Sequence, residues 1–467
     1  MEKHSSRAIL IFAAILLCCP FCAQRSFCSS PTIEAVLRNV GAEKKKSAKK
    51  TKSKRSSKRR AAEPVEDQAA EQPLPPSAAA TIEEDPNKTD DPFDDQADVI
   101  SSNYSIPNLP STLAKQAILV DTSSGAILFE KNADMSMAPS SMSKIATVCY
   151  VLGKVRAGEL QLDTTFSVPA SAYRKEGSTM FLKQGQDVSV HDLLLGIIIT
   201  SGNDAASTIA IRIAGSEDAF SEDLTCFVHS IGATNSTFTN ASGLPDPLHQ
   251  TTARDLYIIA KYAIEAFPEY YSWYSQPSFS FNNVTQKNRN TLLTQDIGCD
   301  GLKPGRTQAG GFGTVASAHK NGRRVILVVN GYKSERDLNK DAKALLLWGL
   351  GEFENSHLFK AGAPIVRLPV WYGKESYVTA VVDKDIALTL PKTHLRAVRG
   401  ELCYDIPLAS PIRKGDQVGE VLITSSALTE PIVIPLRAAI SVEEAGFFKK
   451  VGDSFRYLLW GGRVPEK

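Results

Sequence analysis

The chain has 467 residues, 53 of them Lys or Arg and 51 Asp or Glu, for a formal net charge of +2. That length suggests roughly two to four folded units, and 43% hydrophobic residues is enough for sizeable cores. The near-balance of charge excludes a globally basic nucleic-acid binder and a globally acidic solvating chain.

The average conceals an asymmetry near the start. Residues 1–23 read as an export signal: Lys3 and Arg7 supply positive charge, and the apolar run 8–19 is too short to span a bilayer comfortably. An uncleaved anchor is the alternative. Residues 24–108 read as a solvated, disordered tether. There are eleven Lys or Arg and no acid between Lys44 and Arg60, then twelve Asp or Glu and one Lys between Glu63 and Asp98. Neither block can bury much apolar surface. The basic block suits anionic lipid or cell-wall phosphate. Of eight cysteines, Cys18, Cys19, Cys22 and Cys28 lie in or beside the leader. Cys149, Cys226, Cys299 and Cys403 are scattered, so this is no disulfide scaffold, though one disulfide stays open.

Order is expected from about Ala114. Apolar runs at 117–120 and 126–130 flank Ser123-Ser124-Gly125 and read as a hairpin. After Pro139, the spacing of Ile145, Val148, Cys149, Val151, Leu152 and Val155 predicts a helix. The apolar run 193–199 continues into Ile209 and Ile213 and reads as buried helix. Runs at 315–318 and 325–329 flank Asn321-Gly322, a strong hairpin signal. Strands at both ends with helices between give an α/β (α+β) domain over 109–358 with an antiparallel sheet. After His357 short β-like runs recur, at 365–370, 377–382, 421–424 and 432–436, and predict a small all-β domain over 359–440.

Residues 441–467 differ again. On a helical wheel Phe447, Phe448, Val451, Phe455, Leu458 and Leu459 fall within about 120°, opposite Lys449, Lys450, Asp453 and Arg456. With Tyr457 and Trp460 this predicts an amphipathic helix lying in a membrane interface; a helix docked on the protein itself is the alternative.

For chemistry, there is no Gly-x-Ser-x-Gly, no His-Glu-x-x-His and no phosphate-binding loop, and the seven histidines show no metal-ligand spacing. No metal and no cofactor are expected. What remains is Ser141-Met142-Ser143-Lys144. A serine hydroxyl needs a nearby base, and Lys144 lies one helical turn on, facing the same way. Burial or a neighbouring cation lowers a lysine pKa enough for it to accept that proton. Alone the pattern is worthless, since Ser47-Ala48-Lys49-Lys50 and Ser317-Ala318-His319-Lys320 match it by chance. The constellation is stronger. Ser201-Gly202-Asn203, read as ending the apolar helix and starting a polar loop, offers a second hydroxyl to relay a proton and an amide to hold a carbonyl. Lys303-Pro304-Gly305, ahead of the second hairpin, offers an ammonium for a substrate carboxylate.

With these three motifs in order, the chain resembles the serine D-Ala-D-Ala carboxypeptidases, low-molecular-weight penicillin-binding proteins of the penicillin-binding protein 5 type. Further family-like stretches are Gly177-Ser178 with Met180-Phe181-Leu182, Gly243-Leu244-Pro245-Asp246, Thr252-Ala253-Arg254-Asp255-Leu256, Pro411-Ile412-Arg413-Lys414-Gly415 and Glu443-Glu444-Ala445-Gly446-Phe447-Phe448. The resemblance covers about 110 to 460. It implies a β-lactamase/transpeptidase-like domain, a β-rich domain and a membrane helix. It also implies that Ser141 attacks the penultimate D-Ala carbonyl of a peptidoglycan stem peptide, with Lys144 as general base and Ser201 protonating the leaving D-Ala. The N–H groups of Ser141 and Arg306 form the oxyanion hole. Asn203, Lys303 and Thr307 position the substrate, and Arg289 supports the carboxylate side. β-Lactams acylate Ser141, and the protein is exported and periplasmic, peripherally attached to the inner membrane through its C-terminal helix, with no nucleic-acid partner. The family has Thr after the lysine of the third motif; this chain has Pro304, which removes a hydroxyl and a backbone N–H.

Three alternatives stand beside this reading. Glu335-Arg336-Asp337-Leu338-Asn339 matches a class A β-lactamase motif, but after Lys303 rather than before it. A D,D-endopeptidase shares the same motifs. A catalytically weak cell-wall-binding module would account for Pro304.

Overall fold

The computed structural model describes residues 26–29, 100–105, 109–394 and 398–460. The expected leader and nearly all of the expected tether lie outside these residues, as do Cys18, Cys19 and Cys22. Two short strands come first, β1 (Ser26–Ser29) and β2 (Ile100–Ser101). β3 (Gln116–Asp121) and β4 (Ile127–Lys131) form the expected hairpin, turning where Gly125 takes φ 73°. A 3-10 turn, Ser140–Ser143, leads into α1 (Lys144–Arg156). Strands β5 (Thr165–Ser167) and β6 (Asp187–Ser189) pair ahead of α2 (Val190–Leu195).

The apolar run then ends at Ser201, as expected, but a second helix follows at once where a polar loop was expected. Gly196–Thr200 is a π-helical turn, Ser201 takes the left-handed conformation (φ 63°), and a new helix, α3 (Asn203–Ala214), starts from Gly202. The break has a backbone cause: a left-handed residue cannot continue a right-handed helix. It exposes a fresh helix start in the middle of apolar sequence. Helices α4 (Glu217–Ser230) and α5 (Ala253–Ala266) follow, then the hairpin β7 (Ser278–Phe281)–β8 (Val284–Lys287).

β9 (Cys299–Thr307), β10 (Gly311–Lys320) and β11 (Arg323–Tyr332) complete a six-stranded antiparallel sheet of order β2-β4-β3-β11-β10-β9. The turn between β10 and β11 is Asn321-Gly322, both with positive φ (52° and 79°), as a two-residue hairpin turn requires. Period-two alternation splits the core. Ile118, Val120, Ile326 and Val328 face the helices α1 to α5, whereas Leu119, Val325, Leu327 and Val329 face α6 (Glu335–Glu352). Glu335 and Asn339 open α6 on that second face, away from the Ser141 turn, so the β-lactamase-like match has no place at the same cavity.

The second unit begins with β12 (Phe353–Phe359), which pairs with β15 (Ile386–Pro391), so its ladder starts a few residues ahead of the expected 359. Strands β13 (Pro364–Trp371), β14 (Tyr377–Val381), β16 (Val398–Asp405), β17 (Leu408–Ala409), β18 (Gln417–Ser425) and β19 (Ile432–Ala438) join β1 in a seven-stranded sheet of order β1-β16-β18-β19-β14-β13-β17. One continuous apolar cluster runs from Leu119 and Leu346 to Leu368, Leu388 and Val421, across both units. At the seam Arg323 is buried. It donates to Asp121 Oδ2 (2.8 Å), Asn355 Oδ1 (3.0 Å) and the carbonyls of Gly349 (3.2 Å) and Phe353 (2.7 Å).

The last helix, α7 (Phe447–Trp460), docks by its polar side. The Tyr372 N–H donates to Asp453 Oδ2 (3.1 Å), and Lys449 Nζ donates to the carbonyls of Gly373 (2.6 Å) and Lys374 (2.8 Å). Phe447, Phe448, Val451 and Phe455 are left 75%, 90%, 51% and 62% exposed. No described helix is long and apolar enough to cross a membrane. Cys149, Cys226 and Cys299 are free thiols.

Candidate active site

The 3-10 turn before α1 places Ser141 one turn ahead of Lys144, as the spacing predicts. Lys144 Nζ lies 3.1 Å from Ser141 Oγ and 2.7 Å from Asn203 Oδ1, and it also meets the carbonyl oxygen of Ser242. The lysine is wholly buried. Burial drives its pKa well below the ordinary lysine value; Lys303 pushes the same way, against the weaker pull of Asp204 and Glu217. A neutral amine has two hydrogens and one lone pair. A neutral Lys144 that donates both to Asn203 and Ser242 would turn its lone pair to the Ser141 hydroxyl.

The helix break supplies the second wall. Ser201 is buried between the π-turn and α3, and Asn203 is the first residue of α3. The Asn203 amide is committed on both sides: Oδ1 to Lys144, and Nδ2 donating to the Glu176 carbonyl (2.6 Å). Asn203 N–H also donates to Ser178 O (2.7 Å), so the 176–182 stretch closes over the base. Asp204 holds that stretch too, accepting from the N–H groups of Met180 (3.0 Å) and Leu182 (3.1 Å).

Strand β9, the free edge of the sheet, is the third wall. Lys303 is buried, and its ammonium donates to Pro304 O (3.2 Å). Burial, aided by the charge of Arg289, pushes Lys303 down to about 7. Gly305 sits against the nucleophile turn: a Cβ there would lie 3.0 Å from Ser140 Cβ and 3.1 Å from the backbone N of both Ser141 and Met142. Pro304 is opposite Thr314, and Arg306 opposite Phe312. In an antiparallel strand, alternate residues aim their backbone groups at the same side. Proline has no N–H to give the ladder, so its position belongs to the unpaired edge, and the Arg306 N–H shares that edge. The N–H groups of Ser141 and Arg306 thus border one site. The Arg306 guanidinium itself lies over the Phe312 ring, 4.6 Å from its centroid. Thr307 does not stand in for the missing threonine hydroxyl: its Oγ1 is 2.9 Å from Ser140 Oγ and accepts from the Gly310 N–H at 2.9 Å. Arg289, exposed beside the β7–β8 hairpin, donates to Gln286 Oε1 (3.2 Å).

A fourth wall was not singled out from sequence chemistry. The Asn240 Oδ1 accepts from the N–H groups of Ser242 (3.1 Å), Gly243 (2.7 Å) and Leu244 (3.0 Å), and this turn presents the Ser242 carbonyl to Lys144. Gly243 has φ 77°, and a Cβ on it would collide with Ser140 O at 2.0 Å. Nothing local in the sequence marks Asn240 or Ser242; the Gly243-Leu244-Pro245-Asp246 stretch beside them was the nearest signal. Among the described residues no group of three His, Cys, Asp or Glu could hold a metal ion.

Residues 103–334 match the family model described as D-alanyl-D-alanine carboxypeptidase, and residues 353–444 the one described as penicillin-binding protein 5, C-terminal domain. The chain is 36% identical over 367 residues to D-alanyl-D-alanine carboxypeptidase DacC of Escherichia coli (strain K12), covering 76% of this chain and 90% of that protein. It is 32% identical over 380 residues to DacA of the same organism, covering 78% and 93%. Among solved structures, penicillin binding protein 5 from Haemophilus influenzae matches with a TM-score of 0.69 and 34% identity, over 72% of this chain and 100% of that one.

Proposed function

This chain belongs to the D-alanyl-D-alanine carboxypeptidase family and is a serine-type carboxypeptidase, and from that premise we propose how its own residues do the work. Ser141 is the nucleophile and Lys144 its base. The observation that carries this is the set of contacts at Lys144: Nζ meets two carbonyl oxygens and the Ser141 hydroxyl, so a neutral amine that gives its two hydrogens to the carbonyls turns its lone pair to the Ser141 proton.

Ser141 Oγ attacks the carbonyl of the penultimate D-Ala in a peptidoglycan stem while its proton passes to Lys144. The oxyanion takes hydrogen bonds from the N–H groups of Ser141 and Arg306. The C–N bond breaks, and the departing amine of the terminal D-Ala takes a proton relayed from Lys144 through Ser201. Water, deprotonated by Lys144, then cleaves the ester and frees Ser141. Lys303 and Arg289 supply positive charge for the substrate carboxylate, with Asn203 and Thr307 shaping the pocket walls. β-Lactams acylate the same Ser141, because their strained amide presents its carbonyl as the dipeptide does. We further infer export to the periplasm and peripheral attachment to the inner membrane: α7 offers an aromatic face to lipid while its polar face holds the protein.

Labelling by a fluorescent penicillin tests the nucleophile. Wild type is expected to label covalently and Ser141→Ala to lose all label; a variant that still labels overturns the assignment. Release of D-Ala from a pentapeptide, with cross-linked dimers left intact, separates carboxypeptidase from endopeptidase. The second reading, a catalytically weak module kept for wall binding, rests on Pro304 and predicts that the wild type takes no label and turns over little.

A further inference from the structure

The residue before the nucleophile is held in an unusual way. Ser140 takes φ 51°, in the left-handed region that a serine rarely adopts. Such a conformation persists where the surroundings over-determine it. Thr307 grips the Ser140 hydroxyl at 2.9 Å. The carbonyl of Ser140 is held separately, by the hydroxyl of Ser143, which donates to it at 3.1 Å. Ser143 in turn lies 3.2 Å from Nε2 of His249.

The histidine's tautomer follows from its other side. Nδ1 faces the backbone N–H of Thr239 at 3.0 Å, so Nδ1 accepts and the proton sits on Nε2. His249 Nε2–H therefore donates to Ser143 Oγ, and Ser143 Oγ–H donates to Ser140 O. Each hydrogen in the chain has one acceptor. His249 is 2% exposed, its ring is packed against Phe238, and its backbone N–H donates to Asp246 O (3.0 Å). Burial pushes the imidazole down to about 4, against Asp246 and with Lys144, so it stays neutral where the enzyme works. The 239–249 segment thus both presents Ser242 to Lys144 and carries the support of the Ser140–Ser141 turn.

We propose that His249 is a positioning residue for acylation, holding the Ser140–Ser141 peptide through Ser143 so that the Ser141 N–H borders the oxyanion site while its Oγ meets Lys144. The proposal rests on Ser141 being the nucleophile. It assigns His249 no contact with substrate. Its loss slows the covalent step and leaves prior non-covalent binding alone, because the groups that border the substrate keep their places.

The test uses the full chain and a fluorescent penicillin, with the saturating acylation rate and the non-covalent dissociation constant measured separately. His249→Leu is expected to slow acylation about tenfold or more, the scale of a small misplacement of a reacting group, with the dissociation constant within about twofold. His249→Gln, which keeps an N–H donor near Nε2, recovers most of the rate. Ser143→Ala reproduces the loss, and the His249→Leu/Ser143→Ala double variant is no slower than the slower single one, as links of one chain require. The proposal is overturned if His249→Leu acylates at the wild-type rate, if His249→Gln is as slow as His249→Leu, or if the two losses multiply. Should His249→Leu not fold, Ser143→Ala decides alone: an unchanged rate sinks the idea. A wild-type chain that is never acylated removes the nucleophile assignment, and this proposal with it.

Discussion

Lys144 Nζ and Asn203 Oδ1 meet at 2.7 Å, with both groups buried, so the first and second motifs share one hydrogen bond. An amide oxygen takes a hydrogen from the neutral amine without favouring the charged form as an anion would. Asn203→Asp places a carboxylate at that position. An opposite charge at such range raises a lysine pKa by roughly one to three units. The base is then protonated at neutral pH. Acylation at pH 7 is expected to fall about tenfold or more and to recover as pH rises. A pH–rate profile with its acid limb where wild type has it would contradict this.

Gly305 lies where a side chain would meet the nucleophile turn, 3.1 Å from the Ser141 backbone N. The contact is with backbone, which cannot swing aside. Gly305→Ala is expected to push β9 outward, widening the gap between the two oxyanion donors. Acylation should slow by roughly ten- to a hundredfold, with only a modest change in melting temperature. The pairing of the two measurements matters: a large loss of stability with acylation intact in the folded fraction would refute the steric account.

Lys303 has a signature in stability. Unfolded, a lysine holds its proton up to about pH 10.4; folded, Lys303 holds it to about 7. Between those values the unfolded chain binds more protons, so stability rises with pH. Lys303→Met removes that dependence. Denaturant titrations at pH 7 and pH 9.5 should show wild type gaining on the order of 2 kcal/mol more than the variant. Parallel gains in both proteins would mean the ammonium is not desolvated.

The exposed aromatic face of α7 predicts lipid binding. Full-length protein is expected to sediment with vesicles containing anionic lipid, and a chain ending at 440 to stay in the supernatant. If the shortened chain still sediments, another segment is the anchor.

The hairpins were legible because Asn321-Gly322 and Gly125 carry their conformation locally, in residues that accept positive φ. The first helix and the β-strand runs were legible from periodicity. The end of the apolar helix at Ser201 was legible from the switch to polar residues, but the left-handed serine and the immediate restart of a helix at Asn203, in place of a polar loop, were not. The order of the three motifs located the residues that meet at Lys144, but not how they meet. The sequence reading assigned Asn203 and Thr307 to substrate; in the structure the Asn203 amide bonds to Lys144 and Glu176, and the Thr307 hydroxyl to Ser140 and Gly310. Ser242 and His249 were not legible because their partners, Lys144 and Ser143, are about a hundred residues away in the chain, and Asn240 acts only through the turn that carries Ser242.

Arg323 ties the two folded units in a way that bears on how the molecule comes apart. Its guanidinium belongs to the catalytic sheet, yet the Asn355 and Phe353 oxygens it satisfies belong to the strand that opens the next unit. Severing the chain between them would leave the guanidinium with Asp121 and the Gly349 carbonyl but without its Asn355 and Phe353 acceptors, and would bare the side chains of Leu368 and Leu388. The halves are therefore joint owners of one interior, and heating should melt them together in a single calorimetric transition, leaving neither as a separable module.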